Sequence, residues 1–251
     1  EVSKHLNTIH HPLTIDQGVS NAIPGIVEQL DEPFADSSFV ATYLLSEFTS
    51  NHKVVVLGGD GGDEAFGGYE RYRLMSLAHG QGLRGKQTRT LLKFLNLVPN
   101  LSYLPKRLLR AKEILHSNPS PIALYQSMMS WIPQSEIDLL LGDKSNTDLH
   151  HWFSKNLAKS SISNRGLEFS GNLWDVTSYL PGDLLPKVDM ASMAFGLEVR
   201  SPFLDSNVFS FGLTLPDSLR VKSTDPKYLL KQLARQKLPK NIVPMLLLVS
   251  L

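Results

Sequence analysis

The densest group of chemically useful side chains follows an apolar run, in the stretch VVVLGGDGGDEAFGGYERYR at residues 54–73. It combines glycines with three carboxylates, Asp60, Asp63 and Glu64. Glycine-rich loops after strands typically hold phosphate, because a backbone without side chains can approach it closely. Carboxylates repel phosphate, so these acids require either a Mg²⁺ ion that bridges carboxylate and phosphate or an amine as their ligand. A simple turn with acids at the start of a helix is the third interpretation.

Four glycines set the geometry of this loop: Gly58, Gly59, Gly61 and Gly62. They allow a tight turn, and a helix from Ala65 onward would place its N-terminus, which favours anions, beside the loop. The loop lacks the Lys-Ser/Thr pair of a P-loop and the glycine spacing of a dinucleotide-binding fingerprint. Neither of those two nucleotide sites is therefore predicted.

A second group of charged residues lies among apolar ones at Tyr179–Asp205, YLPGDLLPKVDMASMAFGLEVRSPFLD. Asp183 and Lys187 are four residues apart, so a helix would place them on one face, where they can form an ion pair. Glu198 and Arg200 interrupt an apolar run, and buried charges are usually paired, which predicts an internal ion pair between them. The functional alternative is a carboxylate and guanidinium lining that helps to hold a charged substrate.

The elements that must position these residues alternate between helix and strand in the first third of the chain. The predicted elements are a helix over Val2–Leu6, a strand over His11–Ile15, a helix over Gly18–Leu30 with a break near Pro24, a helix over Phe39–Ser50 capped by serines of the Asp31–Ser38 loop, and a strand over Lys53–Gly58. The last strand is continuously apolar, which is typical of a parallel strand covered on both faces. This order indicates an α/β fold with a doubly wound parallel sheet, whose ligands bind beyond the carboxyl ends of the strands. The glycine–acid loop, residues 58–64, lies at such an end.

Beyond residue 83 the strand patterns fade and helical spacing dominates. The helical segments are TRTLLKFLNLV, PKRLLRAKEIL, PIALYQSMMSWI and SEIDLLL, and SKNLAKSSISNRG is the most loop-like stretch. The cations of PKRLLRAKEIL indicate that one face of this helix is exposed to solvent. We therefore predict two regions, an α/β domain over residues 1–82 and a mostly helical region over residues 83–251.

Composition argues against several classes of protein. The net charge of +1 gives no general attraction to nucleic acid or to an anionic membrane. No apolar run reaches the ~20 residues that span a bilayer, and the absence of cysteine removes disulfides, thiolate metal sites and cysteine nucleophiles. This cysteine usage fits a cytoplasmic location. Because the chain starts without methionine and ends on the apolar PMLLLVSL, we expect it to be a fragment of a longer protein.

Four separated segments together resemble the synthetase domain of the glutamine-dependent asparagine synthetases. They are DEPFADSS, LGGDGGDEAFGGY, LPGDLLPKVDMASMAFGLEVRSPFLD and KYLLKQLARQKLP, in the family's order and covering nearly the whole chain. The resemblance implies a parallel sheet of the adenine-nucleotide alpha hydrolase type, also called the ATP-pyrophosphatase type, followed by helices. It also implies that residues 1–82 are a partial domain, whose first strand and pyrophosphate-gripping loop would lie upstream of Glu1.

The chemistry implied by this resemblance is adenylation of the aspartate side-chain carboxylate with ATP and Mg²⁺, followed by attack of ammonia to give asparagine and AMP. The ammonia would come from glutamine through a glutaminase domain outside this chain, in a full-length protein that is a homodimer. The implied site consists of Asp63 as the magnesium ligand, Leu57, Gly58, Gly59, Gly61 and Gly62 at the nucleotide, Asp60 at the activated acyl group, and Lys187, Glu198 and Arg200 as a catalytic wall and support.

Three positions depart from the family pattern. Gly58 stands where serine is usual, Ala65 replaces a larger aliphatic residue, and Met190 replaces a usual Arg or Lys. We expect that the chain alone does not make asparagine. The alternatives are a relative that adenylates another carboxylate, such as a β-lactam synthetase, a lasso-peptide cyclase or a polysaccharide-associated amidotransferase, or a truncated product without activity.

Overall fold

The structure is a computed structural model of the 251-residue chain. It describes residues 1–15, 17–79, 121–130, 167–220 and 225–239, together with positions 132, 136, 139, 140 and 142. The chain divides into two compact units, one formed by Glu1–Gly68 with Asp175–Leu251 and the other by Tyr69–Trp174. The predicted boundary between residues 82 and 83 lies outside the described residues, so the predicted domain division stays a prediction.

The described part of the chain is mainly helical, with one small sheet. In chain order the elements are α1 (Val2–His5), a 3₁₀ turn (Gln17–Ala22), α2 (Ile23–Gln29), α3 (Ser38–Ser50), β1 (Val55–Leu57), α4 (Gly62–Phe66), α5 (Glu70–His79), α6 (Pro121–Met129), α7 (Leu167–Trp174), a π-helix (Asp175–Leu184), α8 (Leu185–Met193), β2 (Glu198–Arg200), a second 3₁₀ turn (Pro202–Leu204), α9 (Ser206–Thr214), α10 (Asp217–Arg220) and α11 (Tyr228–Lys237). Within these ranges no helix is long and apolar enough to cross a membrane.

The predicted helices of the first unit are confirmed, with two changes in detail. Pro24 lies in the first turn of α2, where its missing N–H is tolerated, and the predicted break becomes the change from 3₁₀ to α geometry. The prediction that a serine caps α3 is wrong. The backbone N–H of Ser38 donates instead to Asp36 Oδ1 at 2.8 Å, because an aspartate two residues earlier reaches this amide directly.

The two strands form a parallel pair in which Val55 lies opposite Glu198 and Leu57 opposite Arg200. The prediction that the first strand is covered on both faces is wrong, since Val54 is 73% and Leu57 74% exposed. An apolar β-branched run indicates a strand but does not fix what covers it. The second strand, β2, was not predicted, because three residues with two charges carry almost no strand pattern.

The predicted strand over His11–Ile15 is also wrong. These residues are exposed and have neither helical nor strand structure. Strand structure requires a hydrogen-bonded neighbour, and the strand pairing found in the described residues joins β1 to β2 only.

Two apolar clusters hold the first unit together. Ile26, Phe39 and Ala191 form one cluster and connect α2, α3 and α8. Met190 packs against the same cluster, which explains an apolar residue where the family usually has a cation. The other cluster contains Ala65 of α4 and lies beneath the glycine–acid loop.

The second unit contains α5, α6 and α7. Its core is formed by Met75, Leu124, Tyr125 and Trp174, and the rings of Tyr125 and Trp174 meet edge to face at 4.9 Å. The predicted helix in PIALYQSMMSWI is confirmed as α6. The segments TRTLLKFLNLV, PKRLLRAKEIL and SKNLAKSSISNRG and the tail PMLLLVSL lie outside the described residues.

Candidate functional site

The glycine–acid loop begins where the two parallel strands end. The N–H of Gly58 donates to the carbonyl oxygen of Arg200 at 2.8 Å, which extends the strand pairing by one residue. Since the strands are parallel, Ser201 follows β2 at the same edge of the sheet. The Ser201 hydroxyl donates to Asp60 Oδ2 at 3.4 Å. Asp60 is therefore held at the carboxyl end of the sheet, the edge at which such sheets bind ligands.

Gly58 is closely surrounded by neighbouring side chains, whereas Gly59 is not. A Cβ at Gly58 would lie 2.9 Å from Asp60 Oδ2, 3.0 Å from Val199 Cγ1 and 3.4 Å from Ser201 Oγ, so a serine there would displace its neighbours. Ser201 supplies a hydroxyl at this place instead. A Cβ at Gly59 would meet nothing within 4 Å among the described residues. The loop is thus open to a ligand at Gly59.

The second half of the loop is shaped by the turn at Pro202–Leu204. Gly61 has φ +83°, and a Cβ there would collide with the Leu204 side chain, while a Cβ at Gly62 would lie 3.2 Å from the Phe203 ring. Helix α4 begins at Gly62, three residues earlier than predicted, so Asp63 lies in its first turn. The glycines are therefore required by backbone conformation and by close packing.

Helix α4 is fixed at its other end by a buried arginine. Arg220 is 3% exposed, and its Nε and Nη2 donate to the carbonyl oxygens of Ala65 at 3.3 Å and Glu64 at 3.1 Å. A Cβ at Gly212 would lie 2.8 Å from both Ala65 Cβ and the Ala65 carbonyl oxygen, so α9 can approach α4 this closely only with glycine at position 212. These hydrogen bonds satisfy carbonyl groups at the C-terminal end of α4 and anchor the helix that carries Asp63.

Asp63 forms an ion pair with a lysine from the end of the described chain. Lys227 Nζ lies 2.8 Å from Asp63 Oδ2, and the two side chains are 24% and 27% exposed. Lys227 has φ +52°, and its N–H donates to the Gly67 carbonyl at 3.3 Å. A Cβ at Gly68 would collide with both members of the pair. The metal ligand implied by the sequence is thus held by an internal cation.

Lys187 forms its ion pair with a different aspartate from the one predicted. Its Nζ lies 2.7 Å from Asp36 Oδ2 and donates to Ser38 Oγ at 2.8 Å. No Lys187–Asp183 ion pair occurs among the described residues, so that predicted pair is wrong. The reason is that Asp183 lies in the last turn of a π-helix while Lys187 lies in α8, and the four-residue spacing of an α-helix does not hold across that change.

The two aspartates near Lys187 have opposite pKa shifts. Burial raises the pKa of Asp36, but hydrogen bonds from Lys187 and Ser38 outweigh burial and leave its pKa below the ordinary value. Burial, and then the negative charge of Asp36, raise the pKa of Asp183, against the attraction of Lys187 and a hydrogen bond from Tyr179. Against the effect of burial, the pKa of Asp36 is thus lowered by its hydrogen bonds from Lys187 and Ser38, while the pKa of Asp183 is raised by burial and by the charge of Asp36.

Glu198 and Arg200 form the predicted ion pair, with Arg200 Nε 2.7 Å from Glu198 Oε1. The prediction that the pair is internal is wrong, because the side chains are 53% and 66% exposed. Residues two apart in a strand share a face, and this face of the sheet is open in the described part of the chain. The backbone of Arg200 still contributes to the site through its carbonyl contact with Gly58.

The structure thus brings Gly58, Gly59 and Asp60 together at the sheet edge and places Asp63 on the adjoining helix, while the contacts of Lys187 lie with Asp36 and Ser38. Sequence reasoning missed four residues that hold these groups: Asp36, Ser201, Arg220 and Lys227. Three of them lie inside segments that resemble the family, but their partners are more than a hundred residues away along the chain. No local pattern identifies such pairs.

The donor groups of the loop fit a magnesium ion that is shared with a substrate. No group of three or more His, Asp or Glu side chains that could hold a metal occurs in the described ranges. Asp63 offers a single, partly exposed carboxylate at the open loop. Magnesium is commonly bound by one or two carboxylates together with substrate phosphates, so Asp63 suits that arrangement and does not form a complete cage.

Parallel strands with a glycine–acid loop at their carboxyl edge define a class of α/β protein that binds its ligand at this edge. Comparison with known proteins is more specific. The family model described as asparagine synthase matches residues 1–244, and the chain belongs to the asparagine synthase family.

Three relatives illustrate this membership. The chain is 28% identical over 230 residues to "Asparagine synthetase [glutamine-hydrolyzing] 1" of Bacillus subtilis, covering 89% of this chain and 34% of that protein. It is 30% identical over 230 residues to a "Putative asparagine synthetase [glutamine-hydrolyzing]" of Mycobacterium bovis, covering 88% of this chain and 33% of that protein. A "Putative asparagine synthetase [glutamine-hydrolyzing] 2" of Methanocaldococcus jannaschii is 47% identical over 68 residues, 27% of this chain and 12% of that protein. The chain therefore spans about a third of the length of the first two relatives.

Proposed function

We propose that this chain is the synthetase part of an ATP-dependent carbon–nitrogen ligase that converts aspartate to asparagine. The observation that carries the proposal is the glycine–acid loop at the shared carboxyl edge of two parallel strands, in a chain of the asparagine synthase family. An ATP-pyrophosphatase type of fold is part of the proposal. It is supported by the parallel pairing of β1 and β2 and by the position of the loop at their carboxyl edge.

The proposed reaction has two balanced steps. The aspartate side-chain carboxylate attacks the α-phosphorus of ATP, forming an acyl-adenylate and releasing pyrophosphate. Ammonia then attacks the acyl carbon, loses a proton and expels AMP, which retains one oxygen of the original carboxylate. Adenylation is needed because a free carboxylate is a poor acyl donor, whereas AMP is a good leaving group.

The residues of the loop have separate proposed roles. The open backbone at Gly59 allows the nucleotide to approach, and Leu57 and Gly58 end the strand beneath it. Asp63 would hold Mg²⁺, which neutralises charge on the departing pyrophosphate. Asp60, held by Ser201, would orient the incoming amine or accept its proton. Lys187 is proposed to hold Asp36 in place on the side of the site that binds the acceptor, and not to contact the reacting atoms.

Aspartate as acceptor and glutamine-derived ammonia as nitrogen donor are proposed from the printed names of the relatives. A glutaminase domain and a homodimer belong to the proposed full-length protein. A relative that adenylates another carboxylate is the second candidate function. It is favoured by Gly58, Ala65 and Met190, which depart from the usual synthetase residues.

Complementation of an asparagine auxotroph separates these candidates. The chain should be expressed behind the segment that precedes it in its relatives, and growth without asparagine is expected. Asp63→Asn should abolish growth, whereas Lys237→Met, an exposed control, should not. Purified protein supplied with [¹⁸O]aspartate should release AMP that carries one ¹⁸O. Growth that Asp63→Asn leaves unchanged would contradict the assigned role of the loop, and residues 1–251 alone are expected to release no pyrophosphate.

A further inference from the structure

We propose that Lys227 occupies the position of the metal on Asp63, so that a divalent cation must displace this lysine before it can bind. The inference rests on the proposed function of Asp63 as a magnesium ligand. It adds that the ligand-free site is closed by the chain's own ammonium group. Binding of the metal is then an exchange of one cation for another at a single carboxylate.

The geometry of the pair supports this exchange. The Lys227 ammonium contacts Asp63 Oδ2 at 2.8 Å, so it occupies one of the two oxygens through which this carboxylate could bind a metal. Both side chains lie over Gly68, where any Cβ would collide with them. Glycine at position 68 therefore allows the pair to form, and within the described residues Lys227 forms an ion pair with Asp63 alone.

The backbone of Lys227 links this exchange to helix α11. Lys227 immediately precedes the helix in a left-handed conformation, and its N–H donates to Gly67. Its carbonyl accepts the N–H of Lys231. When the ammonium leaves Asp63, the side chain can move while these backbone contacts hold the helix in place. The freed ammonium stays beside the loop, where it can meet the negative charge of a bound substrate.

The test uses the purified chain and Mn²⁺ alone, with free Mn²⁺ measured by electron paramagnetic resonance. Mn²⁺ shares the oxygen ligands of Mg²⁺. Lys227→Met should bind Mn²⁺ about three- to tenfold more tightly than the wild type, because the competing cation of a half-buried ion pair is removed. Lys227→Arg keeps the cation and should restore an affinity close to that of the wild type.

Lys237→Met is the matched control, since it removes the same charge from the exposed last turn of the same helix. It should change Mn²⁺ affinity by less than about twofold, as expected for a distant screened charge. Circular dichroism of every variant checks that the fold is retained. Binding by Lys227→Met with none by the wild type would support the exchange equally well.

Two results separate failure of this inference from failure of the proposed function. If Asp63→Asn loses Mn²⁺ but Lys227→Met binds no more tightly than the wild type, the exchange is wrong and the metal role of Asp63 stands. If Asp63→Asn binds Mn²⁺ as the wild type does, both are overturned.

Discussion

The ion pair between Asp36 and Lys187 should be a major contributor to the stability of the first unit. It joins the loop before α3 to helix α8, two segments 151 residues apart. Three proteins test it: Asp36→Asn, Lys187→Met and the double variant. The double-variant cycle isolates the interaction between the two side chains from the other effects of each substitution.

The separation and burial of the pair set the magnitude. Coulomb's law at 2.7 Å gives about 6 kcal/mol at an effective dielectric constant of 20 and about 1.5 kcal/mol in bulk water. The side chains are only 12% and 21% exposed, so the effective dielectric constant of 20 describes this pair better than that of bulk water. The residual solvent exposure of both side chains screens part of that attraction, whereas the desolvation cost of each ion largely cancels in the cycle. We expect a coupling energy of about 2 kcal/mol.

The single variants should differ from each other. Lys187→Met leaves Asp36 and Asp183 close together without a cation, and we expect it to destabilise the protein by about 3 kcal/mol. Asp36→Asn should cost less, because Lys187 keeps its contact with Ser38 and the nearby charge of Asp183. The coupling should also disappear in acid, since an aspartate with a lowered pKa contributes stability above its ordinary pKa and loses it as the pH falls through the lowered pKa.

The assay is urea unfolding followed by far-ultraviolet circular dichroism. The three tryptophans, Trp131, Trp152 and Trp174, all belong to the other compact unit, so fluorescence reports on that unit while circular dichroism reports on the helices of both. The exposed pair of Glu198 and Arg200 is a matched control, with an expected coupling below about 0.5 kcal/mol. A coupling for Asp36 and Lys187 that is no larger than this control would refute the reasoning.

Three other substitutions have distinct expected results. Gly61→Ala should destabilise the protein by about 2–3 kcal/mol in urea unfolding, because it forces an alanine with left-handed backbone against Leu204. Gly59→Ala should leave stability unchanged but weaken ATP binding in a calorimetric titration. Arg220→Met should cost about 2–3 kcal/mol, because two buried carbonyls of α4 lose their donor, and an unchanged unfolding midpoint would contradict this. Asp183→Asn should be more stable than the wild type at neutral pH and equally stable in acid. The pKa of Asp183 is raised in the folded protein, so its ionisation opposes folding as the pH rises from the ordinary pKa through the raised one. Thermal melts across pH measure this, and the opposite order of stability would contradict it.

Local sequence patterns predicted much of the fold near the site. Helix α3 has one apolar face and follows an aspartate, and α4 lies between glycines with positive φ, Gly61 and Gly67. These features depend on neighbours within a few residues. The short strand β2 could not be predicted in the same way, because its pairing with β1 joins residues more than 140 positions apart.

The candidate site likewise combines residues that the local sequence identifies with partners that it does not. The glycine-rich sequence made Asp60 and Asp63 candidates because that pattern is local, and the resemblance to the family implied their separate roles. The partners of both acids, Ser201 and Lys227, are set by tertiary contacts that no spacing encodes. The predicted pairing of Lys187 was wrong because the sequence gives no sign of the π-helix that precedes α8.

The central claim is that the glycine–acid loop binds MgATP, and the most direct measurement is a titration of glycine-labelled protein followed by nuclear magnetic resonance. The chain has 17 glycines, of which Gly58, Gly59, Gly61 and Gly62 report on the loop. Saturable shifts of these four amides with MgATP are expected, with a reduced dependence on magnesium in Asp63→Asn. Saturable shifts confined to glycines elsewhere, with the loop amides unchanged, would contradict it.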